Sequence, residues 1–163
     1  MTYKQPLTPE AYHQGDAPTY TEPTDGAFKR HEAMAQVEYN PSHFNPSAKP
    51  AQQGHGRTLG TWIFNEESGK AEGILKSNIE LVMDTCLAPN ASIGYHEHHH
   101  TEEIYYLLEG QLKVTLQRAN TETEVFNLNP GDAHRIGPNQ GHFIQAGASG
   151  ARFMVIAAKI DRL

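Results

Sequence analysis

His96-Glu97-His98-His99-His100-Thr101-Glu102-Glu103-Ile104-Tyr105-Tyr106-Leu107-Leu108-Glu109-Gly110 is the stretch whose reading decides how the rest of the chain folds. Four of the ten histidines fall within five residues, followed by two carboxylates and an apolar run that ends at Glu-Gly. Extended backbone turns successive side chains to opposite faces, with about 3.3 Å of rise per residue. His96 and His98 therefore share a face, roughly 6.6 Å apart along the strand, so both imidazoles can reach one ion. Glu103 follows after a short turn, at the head of the strand Glu103–Leu108, where its carboxylate can converge on the same point. Two imidazoles and one carboxylate suit Fe(II), Mn(II), Ni(II) or Zn(II) and leave coordination positions open.

Outward from this stretch the chain reads as short β-type runs punctuated by turns. Thr58–Phe64 is a first strand, and 65–73 a polar loop or short helix. Ile79–Leu87 alternates apolar and polar residues at strand period. Ala91–His98, Glu103–Leu108, a turn at Glu109-Gly110, and Gln111–Gln117 follow. Glu122–Leu128 leads into Asn129-Pro130-Gly131-Asp132, with proline and glycine where a type II turn needs them. Ala133–Ile136, Gly141–Ala146 and Arg152–Ile160 complete the series. Many short strands with no helix between them predict an all-β, antiparallel sandwich or barrel.

The spacing resembles the first motif of the cupin family, G-x5-H-x-H-x3–4-E-x6-G. Here it runs Asn90, His96, His98, Glu103, Gly110, with only the first glycine replaced. Asparagine is the residue that best substitutes for glycine in a left-handed turn. The second motif, G-x5-P-x-G-x2-H-x3-N, is matched in part by Gly131 and His142. Its proline is displaced to Pro138, its second glycine is Asn139 and its final asparagine is Ala146. The resemblance covers roughly residues 58–160. It implies a jelly-roll (double-stranded β-helix) barrel, with His142 as a fourth ligand beside His96, His98 and Glu103. It also implies a divalent metal cofactor (Fe, Mn, Ni or Zn) and a small organic molecule chelated to it inside the barrel. Oxygenases, decarboxylases and other lyases, cyclases and isomerases share that ligand set. A cupin that binds a small ligand or metal without catalysis is the alternative.

Other readings of the histidines stay open in the sequence. A frame of His98, His100 and Glu103 is geometrically possible, but the family spacing favours His96 and His98. His99 should face outward, and His100 is a candidate to flank or gate the site. Glu102 falls on the face opposite Glu103, and His134 reads as structural. Tyr105 shares the face of Glu103, which makes it the candidate general acid or base, or else plain barrel filling. Cys86 is either a small buried apolar residue or a thiol near the metal. His13, His31, His43 and His55 lie outside both motifs, where any one could cap the barrel mouth.

Residues 1–56 hold seven of the ten prolines, so a proline-rich arm is expected there, with the barrel domain over 57–163. Its aromatics (Tyr3, Tyr12, Tyr20, Phe28, Tyr39, Phe44) argue for an ordered arm on the barrel or a partner rather than a solvated tail. Within it, Phe28–Tyr39 is a candidate short helix. Glu103–Leu108 is apolar on both faces, and such a strand is covered on both. The outer cover is either the N-terminal arm or a second subunit meeting an apolar patch, with a homodimer the favoured expectation. At 163 residues the chain suits one such domain. A net charge of −6, with no basic cluster beyond Lys29-Arg30, argues against a nucleic-acid or anionic-membrane partner. No apolar run approaches membrane-spanning length, and the lone cysteine suits a reducing cytoplasm.

Overall fold

Two long strands run through both halves of the molecule and organise the rest. In a computed structural model, which describes residues 8, 28–39, 49–65, 75, 77–118 and 122–160, these are β5 (Thr101–Gln117) and β8 (Gln140–Lys159). They pair antiparallel almost end to end, from Thr101 opposite Lys159 to Gln117 opposite Gly141. Both bend at the same level, where Gly110 (φ 79°) and Gly150 (φ 81°) take left-handed backbone. A Cβ on Gly110 would collide with the carbonyl oxygen of Gly150, so the two backbones meet there with no room for a side chain.

The bend reverses which side chains face inward. Before it, Tyr105 and Leu107 are buried; beyond it, Leu112, Val114 and Leu116 are. On β8 the buried set changes likewise, from His142, Ile144 and Ala146 to Ala151, Phe153, Val155 and Ala157. Register shifts at Leu107/Glu109 and Gly110/Leu112 supply the odd residue that such a reversal needs.

The remaining strands distribute over the two bent halves. The half of β8 after the bend pairs with β3 (Ile79–Leu87), which carries β2 (Thr58–Asn65) and then β1 (Ala35–Tyr39) at the edge. The half of β5 before the bend pairs with β7 (Ala133–Ile136). On the other side of the bend β8 pairs with β4 (Ser92–His98) and β5 with β6 (Thr123–Leu128). All pairings are antiparallel, and the two sheets close on each other as a jelly roll. Leu107, Leu112, Val114, Ile136, Ile144 and Phe153 are fully enclosed between them. Full burial of each such side chain stabilises the fold by about 1.5–3 kcal/mol.

Three local expectations change. Glu109-Gly110 is a bend inside one strand, not a turn between two, because both neighbouring strands continue past it. Gly141–Ala146 and all but the last residue of Arg152–Ile160 are likewise parts of the single strand β8. Phe28–Tyr39 makes no helix: a 3-10 turn at His31–Ala33 leads into β1. Ala35, Val37 and Tyr39 alternate inward and pack on Trp62, so period two outweighs the ambiguous helical spacing. The turn at residues 129–132 closes as its residues suggest, with Asp132 N–H donating to Asn129 O at 2.9 Å and Gly131 at φ 95°. Asn90 and Asn139, where the two motifs would have glycine, both sit at φ 59°. All but the first residue of 65–73 lies outside the described residues.

The paired glycines yield the first prediction. Gly110→Ala should destabilise the protein by about 2 kcal/mol or more, from left-handed strain plus collision with Gly150. Urea denaturation should show a lowered midpoint with little change of slope.

Candidate metal centre

Strand β4 carries His96 and His98, and His96 lies directly opposite His142 in the ladder with β8. Three imidazoles are thus presented by one sheet on one face, as cross-strand neighbours are. Glu103 comes from the opposite sheet, on the half of β5 before the glycine bend. Each of the four residues offers a donor atom, and these atoms all lie within 4.8 Å of one another. The Nε2 atom of His142 stands 3.1 Å from that of His96 and 3.3 Å from that of His98. Glu103 Oε2 is 3.8 Å from His98 Nε2.

The back of each ring is held. His96 Nδ1–H donates to the carbonyl of Gly94 at 2.9 Å. A carbonyl can only accept, so the neutral His96 ring keeps its proton on Nδ1 and turns an Nε2 lone pair inward. His98 Nδ1 meets Thr101 Oγ1 at 3.1 Å, and His142 Nδ1 meets His134 Nε2 at 3.0 Å. Nitrogen lone pairs crowded to about 3 Å repel unless a proton or a cation lies between them. The donor set therefore fits a divalent metal, in chemistry and in convergence.

Burial keeps these rings neutral, which is the form that binds metal. It pushes the His98 pKa down to about 3, assisted by His96, His134 and His99, and that of His134 down to about 4. His96 is lowered by burial against the opposing pull of its Gly94 bond. His142 is driven well below its ordinary value by burial and then by the three neighbouring imidazoles. Tyr105 is buried beside them and donates its hydroxyl to Glu103 Oε2 at 2.6 Å. Burial and the Glu103 carboxylate raise its pKa well above 10, so at neutral pH it is an uncharged phenol committed to Glu103.

A cavity of about 350 Å³ opens beside the cluster, bounded by His96, His98, Glu103 and Tyr105 and by a wall from the other strands. That wall includes Tyr39 of β1 and Trp62 of β2, whose place at the site no motif announced. The partner of His142 was equally hidden: His134 is buried and holds the ring of that residue. Period two on Ala133–Ile136, which turns His134 and Ile136 to one face, was the only available signal. His100 is exposed and does not join the cluster, so the His98, His100, Glu103 frame does not form. His99 is exposed 3.7 Å from Glu97, and Glu102 is ion-paired with Arg135. Cys86 points to the outer face, between inward Thr85 and Leu87, away from the cavity. Among the four remaining histidines, His55 Nδ1 meets Ser92 Oγ at 2.8 Å and His31 is exposed. His13 and His43 lie outside the described residues.

The buried rings set a pH dependence. Their folded pKa values lie below the unfolded value of about 6.5, so the unfolded chain binds protons that the folded one refuses. Stability without added metal should be fully present above pH 6.5 and fall as pH drops from there toward 4. Each ring contributes a slope of up to about 1.4 kcal/mol per pH unit. Thermal melts across pH 4–8 in chelator check this, and the His134→Phe variant should show a shallower slope.

A family model described as "Cupin domain" matches residues 83–157, which contain all four donors. No curated protein matches the chain in sequence. Among solved structures, the fold is similar to a "predicted oxalate decarboxylase" from Thermotoga maritima, at 17% identity and a TM-score of 0.60. That match covers 82% of this chain and 99% of the other. It is also similar to the Schizosaccharomyces pombe Cnp3 cupin domain, at 14% identity, TM-score 0.52 and 71% of each chain. A third likeness is to the Lactobacillus farciminis oxalate decarboxylase formate complex, at 22% identity and TM-score 0.51. It covers 67% of this chain but only 30% of that larger protein. Residues 83–157 thus match a cupin domain, on a jelly-roll fold that these solved structures share.

Proposed function

We propose that this protein is a metal-dependent cupin enzyme, with His96, His98, Glu103 and His142 as the ligands of one divalent ion (Fe, Mn, Ni or Zn). The observation that carries this reading is the convergence of four donor atoms within 4.8 Å, on rings whose far nitrogens are already engaged. Such an ion, when bound, supplies Lewis-acid polarisation of a chelated oxygen and, if redox-active, electron transfer. The chain's own residues do the remainder. The apolar wall keeps water from a small organic substrate, and the neutral imidazoles present lone pairs at physiological pH. Tyr105 holds the Glu103 carboxylate oriented, and as an uncharged phenol it serves as a proton donor rather than a base. Reaction classes compatible with this arrangement are oxygenation, decarboxylation or other lysis, cyclisation and isomerisation. A second reading, on the same ligand set, is a cupin that binds a small ligand or metal without catalysis.

Metal content tests the first reading directly. Tag-free protein should carry about one divalent ion per chain by elemental analysis. His98→Ala and Glu103→Ala should each lower that content at least tenfold. Ordinary metal content in both variants would remove the assignment. One ion per chain, but no turnover across small carboxylates, sugars and phenolics, would favour the binding role.

The same reading extends to assembly in a reducing cytoplasm. Among the described residues no helix is long and apolar enough to cross a membrane. An apolar row of Phe64, Val82, Ile156 and Ile104 crosses four strands on the outer face, with Ile104, Tyr106 and Ile156 exposed. A second copy presents the same row and is the partner of matching chemistry. Sedimentation velocity should give a dimer, converted to monomer by Ile104→Lys with Tyr106→Lys; a monomeric parent removes this part.

A further inference from the structure

The cavity wall contains a buried hydroxyl that neither metal binding nor folding accounts for. Thr85, near the C-terminal end of β3, is 0% exposed and lines the cavity, yet its Oγ1 has no hydrogen-bond partner among the described residues. A buried hydroxyl left unpaired costs about 1–3 kcal/mol, whereas valine has the same shape and no such cost. Around it the wall is apolar, formed by Trp62, Leu81, Met83, Ile93 and Val155. No lysine or arginine occurs among the described lining residues. At about 350 Å³ the space is that of a small-molecule pocket and far larger than a two-carbon acid requires.

We infer that this cavity takes a molecule with one chelating head group and an apolar, ring-sized body that bears a hydroxyl or carbonyl oxygen, and that Thr85 selects it by hydrogen-bonding that oxygen. The inference rests on the metal reading above, since the ion that the four donors would hold is what the head group would reach. A small dianion such as oxalate fits poorly. Chelated through both carboxylates it would sit at the ion, its outer oxygens buried with no cationic side chain to meet them, and the apolar wall would stay unfilled. An aromatic hydroxy acid answers each feature: one carboxylate and hydroxyl to chelate, a ring against Trp62 and Met83, and a ring oxygen for Thr85.

The test uses the full chain loaded with Co(II), whose visible absorption reports the coordination shell. Probes are oxalate, 3-phenyllactate, and its 2-, 3- and 4-hydroxyphenyl analogues, titrated by absorption and calorimetry. At least one hydroxyphenyl analogue should bind about tenfold tighter than phenyllactate, the worth of one hydrogen bond, and tighter still than oxalate. Thr85→Val should erase that tenfold preference while leaving Co(II) uptake and phenyllactate affinity unchanged, and should melt no lower than the parent. Thr85→Ser should retain the preference. Oxalate binding as tightly as the best aromatic probe, no aromatic binding, or an intact preference in Thr85→Val would each overturn the inference and leave the metal site standing. Failure of the parent to take up Co(II) would overturn both.

Discussion

The close contact of Gly110 with Gly150 is the constraint on which the rest of this structure depends. Two strands of 17 and 20 residues stay hydrogen-bonded to each other while both fold through a corner. Only a residue without a side chain can stand at such a crossing. Each strand thereby serves both sheets, and the inward face changes parity at the corner. Without that reversal, the face that buries Leu107 and Phe153 in one sheet would turn Leu112 and Ile144 out to solvent in the other. The site inherits the same geometry, because Glu103 and His142 lie on opposite sides of the corner and meet only when it closes.

Around the cluster, electrostatics and burial act in one direction. Water exclusion keeps the imidazoles neutral, and neutral rings are what a cation requires as ligands. Partners behind the rings then fix their orientation. Gly94 supplies a backbone carbonyl, Thr101 a hydroxyl and His134 a second imidazole. The Gly94 carbonyl is available because β4 is irregular between Ile93 and His96. Residues 52–54 cross close over Gly94, where a Cβ would come within 2.7 Å of Gly54 N. A cluster of this kind strains the protein when empty of charge and relaxes it when a cation arrives, which couples metal affinity to folding stability.

Beside the cluster, the cavity is formed by residues far apart in the chain. Tyr39 and Trp62 belong to a satellite core with Ala35 and Val37, which closes the sheet edge over Leu81 and Met83. The segment that contributes Tyr39 lies in the proline-rich part of the chain, outside the span of the matched domain model. Variation in such segments is a physical route by which one barrel can hold different molecules over the same ligand set.

What the sequence determined by itself was local and periodic. Alternation assigned Ile79–Leu87 to a strand, and spacing put His96 and His98 on one face with Glu103 following. Asn90 was read as a left-handed stand-in for glycine, and its φ of 59° agrees. Each of these readings depends on a few neighbouring residues, where backbone geometry alone sets the outcome. Only the tertiary structure decided the rest. Whether Glu109-Gly110 turned back or bent onward depended on a second glycine forty residues away, and β1 was settled by Trp62 across the sheet. The roles of His134, Thr85 and Tyr39 come from contacts between sheets, which a linear pattern does not encode because closure of the barrel, and not sequence separation, sets those distances.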